Sequence, residues 1–409
     1  MAPEPRQPFT LELGPAAGPA QLLLDLSVLV ETDERSGVQR LTRNIARALL
    51  RSPPPGYSVT PVYDAGGYYA YATEFLIGTE AAEAEQLADE PIRVRPGDIF
   101  LGLDLCPNHV PGNRALLASL RKHGVRVVFV VYDLLPVRLA QYFIPGATPW
   151  FEAWLNTVSG VADGLVCISR AVADDLLDWL DERAVPNPGT LQVGYFPLGA
   201  DLDAGVATQP LRADEQVALT QLEGRPALLM VGTVEPRKMH AQALDAFECL
   251  WRAEVDVSLV IVGRAGWLVD ALAARLAEHP ELNRRLFWLE GASDSALQRL
   301  YGQCAGLLAA SSGEGFGLPL IEAAQYGLPI IARDLPVFRE VAGEHAWYFE
   351  AADGVELAGA LQAWLALHAR GAAPGSTGMA WLTWDASARQ LFDIIDQQRW
   401  YRRASFTLA

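Results

Sequence analysis

Glu314 and Glu322, eight residues apart, bracket a glycine-rich turn in the stretch Ser311-Ser312-Gly313-Glu314-Gly315-Phe316-Gly317-Leu318-Pro319-Leu320-Ile321-Glu322. A second charged group, Arg237-Lys238, follows a run of buried-strand type, Ala227 to Val231. A planar guanidinium fork and a point ammonium suit a diphosphate. Carboxylates are poor phosphate ligands but good acceptors for paired hydroxyls. Together these residue types point to a phosphate compound carrying a sugar, with Glu314 on the sugar and Glu322 on a ribose diol. Alone, either glutamate reads as a solvated surface charge, and Arg237-Lys238 as a solvated pair at a helix start. Cations at a helix start oppose the helix dipole, which favours a ligand.

These side chains need elements to hold them. Gly306 to Ala310 reads as a buried strand, Leu318 to Tyr326 has apolar residues at helical spacing and stops at Gly327, and Leu328 to Ala332 is a second strand. The turn therefore lies at the carboxyl end of a parallel strand, where open α/β sheets bind ligands. Gly313, Gly315 and Gly317 let backbone approach a ligand, and the following helix aims unpaired N–H groups at it, with Phe316 and Leu318 alongside. The strand from Ala227 runs into Gly232 and the Arg237-Lys238 turn, with a helix from about His240 to Arg252.

The EGFGLPLIEA stretch, with glutamates at its two ends of spacing, resembles the signature of retaining GT-B glycosyltransferases of family 4. The resemblance implies an α/β fold of two facing Rossmann-like domains with parallel sheets and a deep interdomain cleft. It implies that Glu314 meets the donor sugar and Glu322 the nucleotide ribose, and GTVEPRK resembles the family's phosphate-binding turn. It also implies that the backbone at Gly291 and Ala292 contacts the nucleobase, with Arg264 flanking it. On the acceptor side, GVQR resembles a first strand-helix junction that brings Gly37 and Arg40 near the phosphates and acceptor. The family often has His-Asp after the strand Val125 to Tyr132; this chain has Tyr132-Asp133. Asp133 is a candidate to orient the acceptor hydroxyl, or equally a cap on the next turn.

A length of 409 residues suggests two domains, and 51% hydrophobic residues suffice for their cores. The expected boundaries are 1–205 for the acceptor-side domain, 206–387 for the donor domain, and a C-terminal helix, about 388–409, returning to the first. The stretch Asp201 to Gln221 reads as a polar linker. Gly66 to Tyr71 reads as a loop, Glu80 to Asp89 as an acidic helix, and Trp384 to Gln398 as the final helix. Ser169 reads as a structural cap and His240 as a surface histidine at a helix start.

A net charge of −17 argues against nucleic acid as a partner. Arg121 and Lys122 on a short helix leave peripheral membrane contact open, although a solvated face fits them better. No apolar run reaches the ~20 residues of a membrane span, and no secretory signal is read at the start. Cys106, Cys167, Cys249 and Cys304 are isolated and read as thiols in a reducing cytosol. The six histidines form no ligand cluster, so neither a metal nor another cofactor is expected.

The resulting expectation is a cytoplasmic, metal-independent retaining hexosyltransferase, at the inner face of the membrane if its acceptor is lipid-linked. The donor would be a nucleotide-diphosphate sugar, with mannose or a deoxyhexose as guesses. The acceptor would be a glycan or lipid-linked glycan of a bacterial surface polysaccharide. The rival readings are a GT-B sugar-nucleotide epimerase or hydrolase, and a non-catalytic nucleotide-sugar scaffold. No motif specifies the oligomeric state.

Overall fold

The computed structural model describes residues 12–13, 18–32, 36–72, 90–183, 191–201 and 210–404. The chain divides into two compact units, one of residues 1–137, 146–199 and 382–409 and one of residues 138–145 and 200–381. The boundaries differ from those expected chiefly at 138–145, which packs with the second unit. There the Phe143 ring stacks on Trp267 at 5.8 Å, and the Trp267 indole donates to the Tyr142 carbonyl at 2.9 Å.

The first unit's strands are β1 (Glu12–Leu13), β2 (Ala20–Asp25), β3 (Tyr57–Asp64), β4 (Tyr69–Tyr71), β5 (Arg93–Val94), β6 (Ile99–Gly102), β7 (Arg126–Val131), β8 (Gly164–Cys167) and β9 (Leu191–Tyr195). The second unit holds β10 (Ala227–Val231), β11 (Ser258–Val262), β12 (Leu286–Leu289), β13 (Gly306–Ala309), β14 (Ile330–Arg333) and β15 (Ala346–Phe349). After them the chain re-enters the first unit as β16 (Arg402–Ala404).

Strands β10 to β15 form a wholly parallel sheet in the order β12-β11-β10-β13-β14-β15. Leu228, Leu229, Val260, Ile261, Ile330 and Ile331 are at most 1% exposed, as a sheet covered on both faces requires. The strand order reverses between β10 and β13, so the loops after these two strands flank a crevice at their carboxyl ends.

The first unit's main sheet runs β16-β9-β8-β7-β6-β2-β3-β4. It is parallel except at its edges, where β4 and β16 run antiparallel. Both edge strands depart from the expected pattern. Tyr69–Tyr71, expected as loop, pairs with β3 because Tyr69 and Ala70 can be wholly buried there. Its amphipathic helix Gly37–Arg51 starts with a capping box in which Ser36 Oγ accepts from the Gln39 amide and the Gln39 side chain accepts from the Ser36 amide. Ser169 Oγ likewise accepts from Val172 N at 3.1 Å, a structural cap.

The final helix, Trp384–Asp396, packs on Gly37–Arg51 within the first unit, as expected. Part of the expected linker is a helix instead, Ala213–Gln221. Its capping Glu215 is wholly buried and ties the helix to Ser293, accepting from its amide at 2.7 Å. Burial of one face therefore outweighed the polar composition. The acidic helix expected at Glu80 to Asp89 lies outside the described residues. Among the described residues no helix is long and apolar enough to cross a membrane.

Candidate functional site

The loops after β10 and β13 bring the two charged groups together. Lys238 Nζ donates to Glu314 Oε1 at 2.5 Å, and Arg237 Nη1 lies 3.1 Å from Glu314 Oε2. Ser311 Oγ donates to Oε1 at 2.7 Å. The loops are also sewn together by backbone: Arg237 Nη1 donates to the Gly313 carbonyl, while the Ser312 amide and hydroxyl donate to the Arg237 carbonyl at 2.8 and 3.1 Å. Burial pushes the Glu314 carboxyl up, but Lys238 and Arg237 more than offset it and bring its pKa down to about 2. The group is an anion at any physiological pH. Glu235, 3% exposed and not anticipated, takes the other side of the guanidinium at 2.6 Å.

Local geometry explains why these groups can meet. Pro236–Lys238 is a single 3-10 turn, and Met239 then adopts φ 60 before the helix His240–Arg252 begins. Arg237 and Lys238 thus precede a helix rather than lie within it. Gly232 has φ +134, and a Cβ at Gly263 would stand 1.9 Å from the Gly232 carbonyl oxygen. Only glycine lets the turns after β10 and β11 approach so closely. Gly317 has φ +98 and is the N-cap of the helix Leu318–Gln325, which carries Pro319 in its first turn. Gly315, Phe316 and Gly317 are buried at that end, and Leu318 is half-buried. A cavity of about 20 Å³, room for one water, lies among Lys238, Glu314, Gly317, Phe338 and His240.

His240 is a correction. It is 2% exposed rather than on the surface, because the first turn of its helix faces the sheet. Burial and the neighbouring Lys238 push its pKa down to about 3, so the imidazole is neutral, and its Nδ1 has no hydrogen-bond partner.

Glu322 is also not the open carboxylate expected. It is 1% exposed on the helix face that buries Leu320, Ile321 and Ala323, and Tyr301 donates its hydroxyl to Oε2 at 2.7 Å. Tyr301 in turn stacks on Tyr326 at 5.6 Å. Gly291, with φ +62, and Arg264 are exposed, and Ala292 is half-buried. The Gly291 carbonyl accepts from Arg212 Nη1 at 2.6 Å, a tether that the linker reading of this stretch had hidden.

On the first unit, Gly37 and Arg40 lie in the opening turn of the helix Gly37–Arg51, Gly37 exposed and Arg40 half-buried. Asp133 Oδ1 accepts from Leu135 N at 3.0 Å, which is the turn-capping arrangement. Tyr132 corrects the expectation of an acceptor-side contact. It is 4% exposed, and its hydroxyl hydrogen goes to the Leu103 carbonyl at 2.5 Å while Thr42 Oγ1 lies 2.9 Å away. At this sheet's own switch point, between β2 and β6, sit Asp25 and Asp104, which no motif singles out. Burial raises their pKa values to about 7 and about 6. Asp25 accepts from Ser27 and Tyr69, and Asp104 from the amides of Leu29 and Leu105. Among the described residues no group of three or more His, Cys, Asp or Glu is placed to hold a metal ion.

Two parallel-sheet units and a ligand crevice at a strand switch point define a GT-B fold. Solved structures agree. The chain superposes on HepE of Anabaena, solved in complex with UDP-glucose, with a TM-score of 0.57 at 16% identity, covering 92% of this chain and 97% of that one. For sucrose-phosphate synthase of Thermosynechococcus elongatus the TM-score is 0.60 at 18% identity, covering 93% and 99%. The family model for glycosyl transferases group 1 matches residues 212–374, the part that carries the Arg237, Lys238 and Glu314 cluster. The chain is 45% identical over 374 residues, 91% of its length, to the serotype-specific mannosyltransferase WbdA of Escherichia coli, of which it covers 46%. A phosphatidyl-myo-inositol mannosyltransferase of Mycobacterium leprae is 32% identical over 49% of this chain and 54% of its own. The chain carries a group 1 glycosyltransferase domain over residues 212–374. It spans about half the length of the curated relatives it matches.

Proposed function

We propose that the chain is a retaining glycosyltransferase that moves a hexose, most simply mannose, from a nucleoside-diphosphate sugar to a glycan or lipid-linked glycan during bacterial polysaccharide synthesis. The observation that carries this reading is the Arg237, Lys238 and Glu314 cluster beside the amino end of the helix Leu318–Gln325. Breaking the anomeric bond places negative charge on the leaving diphosphate. Arg237, Lys238 and the helix N-terminus answer that charge. Glu314, which stays ionised, positions the sugar and supports the positive charge developing on it. Glu322, oriented by Tyr301, holds the ribose diol, and the backbone at Gly291 and Ala292 meets the base with Arg264 alongside. Gly37, Arg40 and Asp133 serve the acceptor side.

The leaving phosphate takes the acceptor proton while attack occurs on the face it vacates, so configuration is retained. Charge stabilisation comes from protein groups, with no metal in the scheme. The mannosyl donor is favoured by the names of the curated relatives, and a cytoplasmic location at the membrane's inner face by the acceptor class. Incubation with GDP-mannose and a mannose-terminated acceptor tests the reading. The expected product carries an α linkage from an α donor, in EDTA as without it. Donor consumption that ignores acceptor would make the protein a hydrolase or epimerase, and a β linkage would end the retaining assignment.

A further inference from the structure

The first unit carries a second concavity, a groove of about 870 Å³ lined in part by Arg121, Lys122, Arg126, Asp163, Gln192 and Trp400. It lies at the amino-terminal end of β7 and β8, the opposite end of the sheet from Asp25, Asp104 and Asp133. Its volume falls within the ~300–1,000 Å³ typical of small-molecule sites.

The groove has a built floor and an open rim. The Trp400 ring lies against two glycines of the sheet, where a Cβ would stand 2.2 Å from the ring at Gly164 and 3.2 Å at Gly194. Gln398 fixes the indole by accepting from its Nε1 at 3.1 Å. Arg121 is locked on Asp163 at 2.7 Å, and Arg126 Nη1 on the Ile395 carbonyl at 2.7 Å. Among the described residues, the Lys122 ammonium and the Gln192 side-chain amide make no hydrogen bond or ion pair, so both keep their donors for a ligand. Two helices, Arg114–Lys122 and Ala147–Val161, end at the groove through Lys122, Gly160 and Val161. At the first of these ends the carbonyls of Ser119, Leu120 and Arg121 already accept from the amides of His123, Val125 and Gly124.

We propose that this groove binds a short stretch of glycan at a site separate from the donor crevice. A pyranose ring presents weakly positive C–H bonds to the negative face of an aromatic ring, which a half-buried, immobilised indole supplies. Sugar hydroxyls both donate and accept, and the rim offers donors in Lys122 and Gln192 and an acceptor in the Gln192 side-chain oxygen. An anion would have to face the negative ends of two helix dipoles.

The test is saturation-transfer NMR with mannotriose and maltotriose as probes, in excess GDP so that the donor crevice does not contribute. At least one probe is expected to bind, with affinity about ten-fold weaker in Gln192→Ala, a half-buried position whose loss leaves the melting temperature unchanged. Trp400→Leu, which keeps apolar cover over Gly164 and Gly194, is expected to abolish the Gln192-dependent binding, leaving at most what the acceptor side contributes for mannotriose. The proposal is overturned if neither trisaccharide binds or if both variants bind as the parent does. It is equally overturned if inorganic phosphate or phosphatidylglycerol vesicles bind in a Lys122-dependent way while the sugars do not.

Discussion

Replacing Glu314 with glutamine should separate binding from chemistry. The carboxylate sits on both Arg237 and Lys238, with its side chain only 11% exposed, and its pKa falls from 4.5 to about 2. That displacement corresponds to about 3 kcal/mol favouring the charged form. Because the folded pKa is the lower one, this stabilisation is complete above pH about 4.5 and disappears as pH falls toward 2. Glutamine keeps the shape and removes the charge, so Glu314→Gln should unfold at lower urea at pH 7, by up to about 3 kcal/mol, and match the parent near pH 2. The freed cations are the proposed diphosphate ligands. If half of the lost attraction passes to an incoming diphosphate, GDP should bind about ten-fold tighter to the variant by titration calorimetry, while transfer falls at least ten-fold. A GDP affinity that drops in step with turnover would show that Glu314 does not compete with the diphosphate, and the reasoning would fail.

Lys238→Met should lower kcat by about 10²-fold, the scale of losing one electrostatic stabiliser of a leaving group, with the same loss in EDTA and in added Mg²⁺; a metal-dependent difference would count against the scheme. Tyr301→Phe removes a hydrogen bond to a buried carboxylate and should raise the donor KM about ten-fold with kcat nearly unchanged. Asp25 has a folded pKa near 7, above its ordinary 3.8, so the native state holds the extra proton. Its contribution to stability is complete below pH about 4 and lost as pH rises through 7. Asp25→Asn, which imitates the protonated form, should therefore gain stability relative to the parent between pH 5 and pH 8, as urea unfolding at the two values would reveal.

Much of the second unit was legible because its signals are local. Gly232, Gly315 and Gly317 mark turns, and β10, β11 and β13 are short unbroken apolar runs that only a sheet covered on both faces would bury. The placement of Arg237 and Lys238 could be read from their position after such a strand. What the sequence withheld depends on contacts far apart in the chain. Tyr301 meets Glu322 only after two elements pack, Glu215 reaches 78 residues onward to Ser293, and His240 owes its burial to the sheet beneath it. The antiparallel edges β4 and β16 were missed for a related reason: three-residue strands have too little alternation to stand out from a loop. Tyr132 shows the opposite failure, in which an expectation carried from a motif met a side chain whose hydroxyl the interior already uses.

The return of residues 382–404 to the first unit sets an order on assembly during synthesis. When a ribosome has made residue 200, the first sheet still lacks β16, the Gly37–Arg51 helix has no Trp384–Asp396 helix to cover it, and Gly164 and Gly194 wait for Trp400. The second unit, contiguous from 200 to 381 apart from the short 138–145 piece, can mature before the first is finished. A nascent chain halted between these points would expose apolar surface that the finished protein never shows.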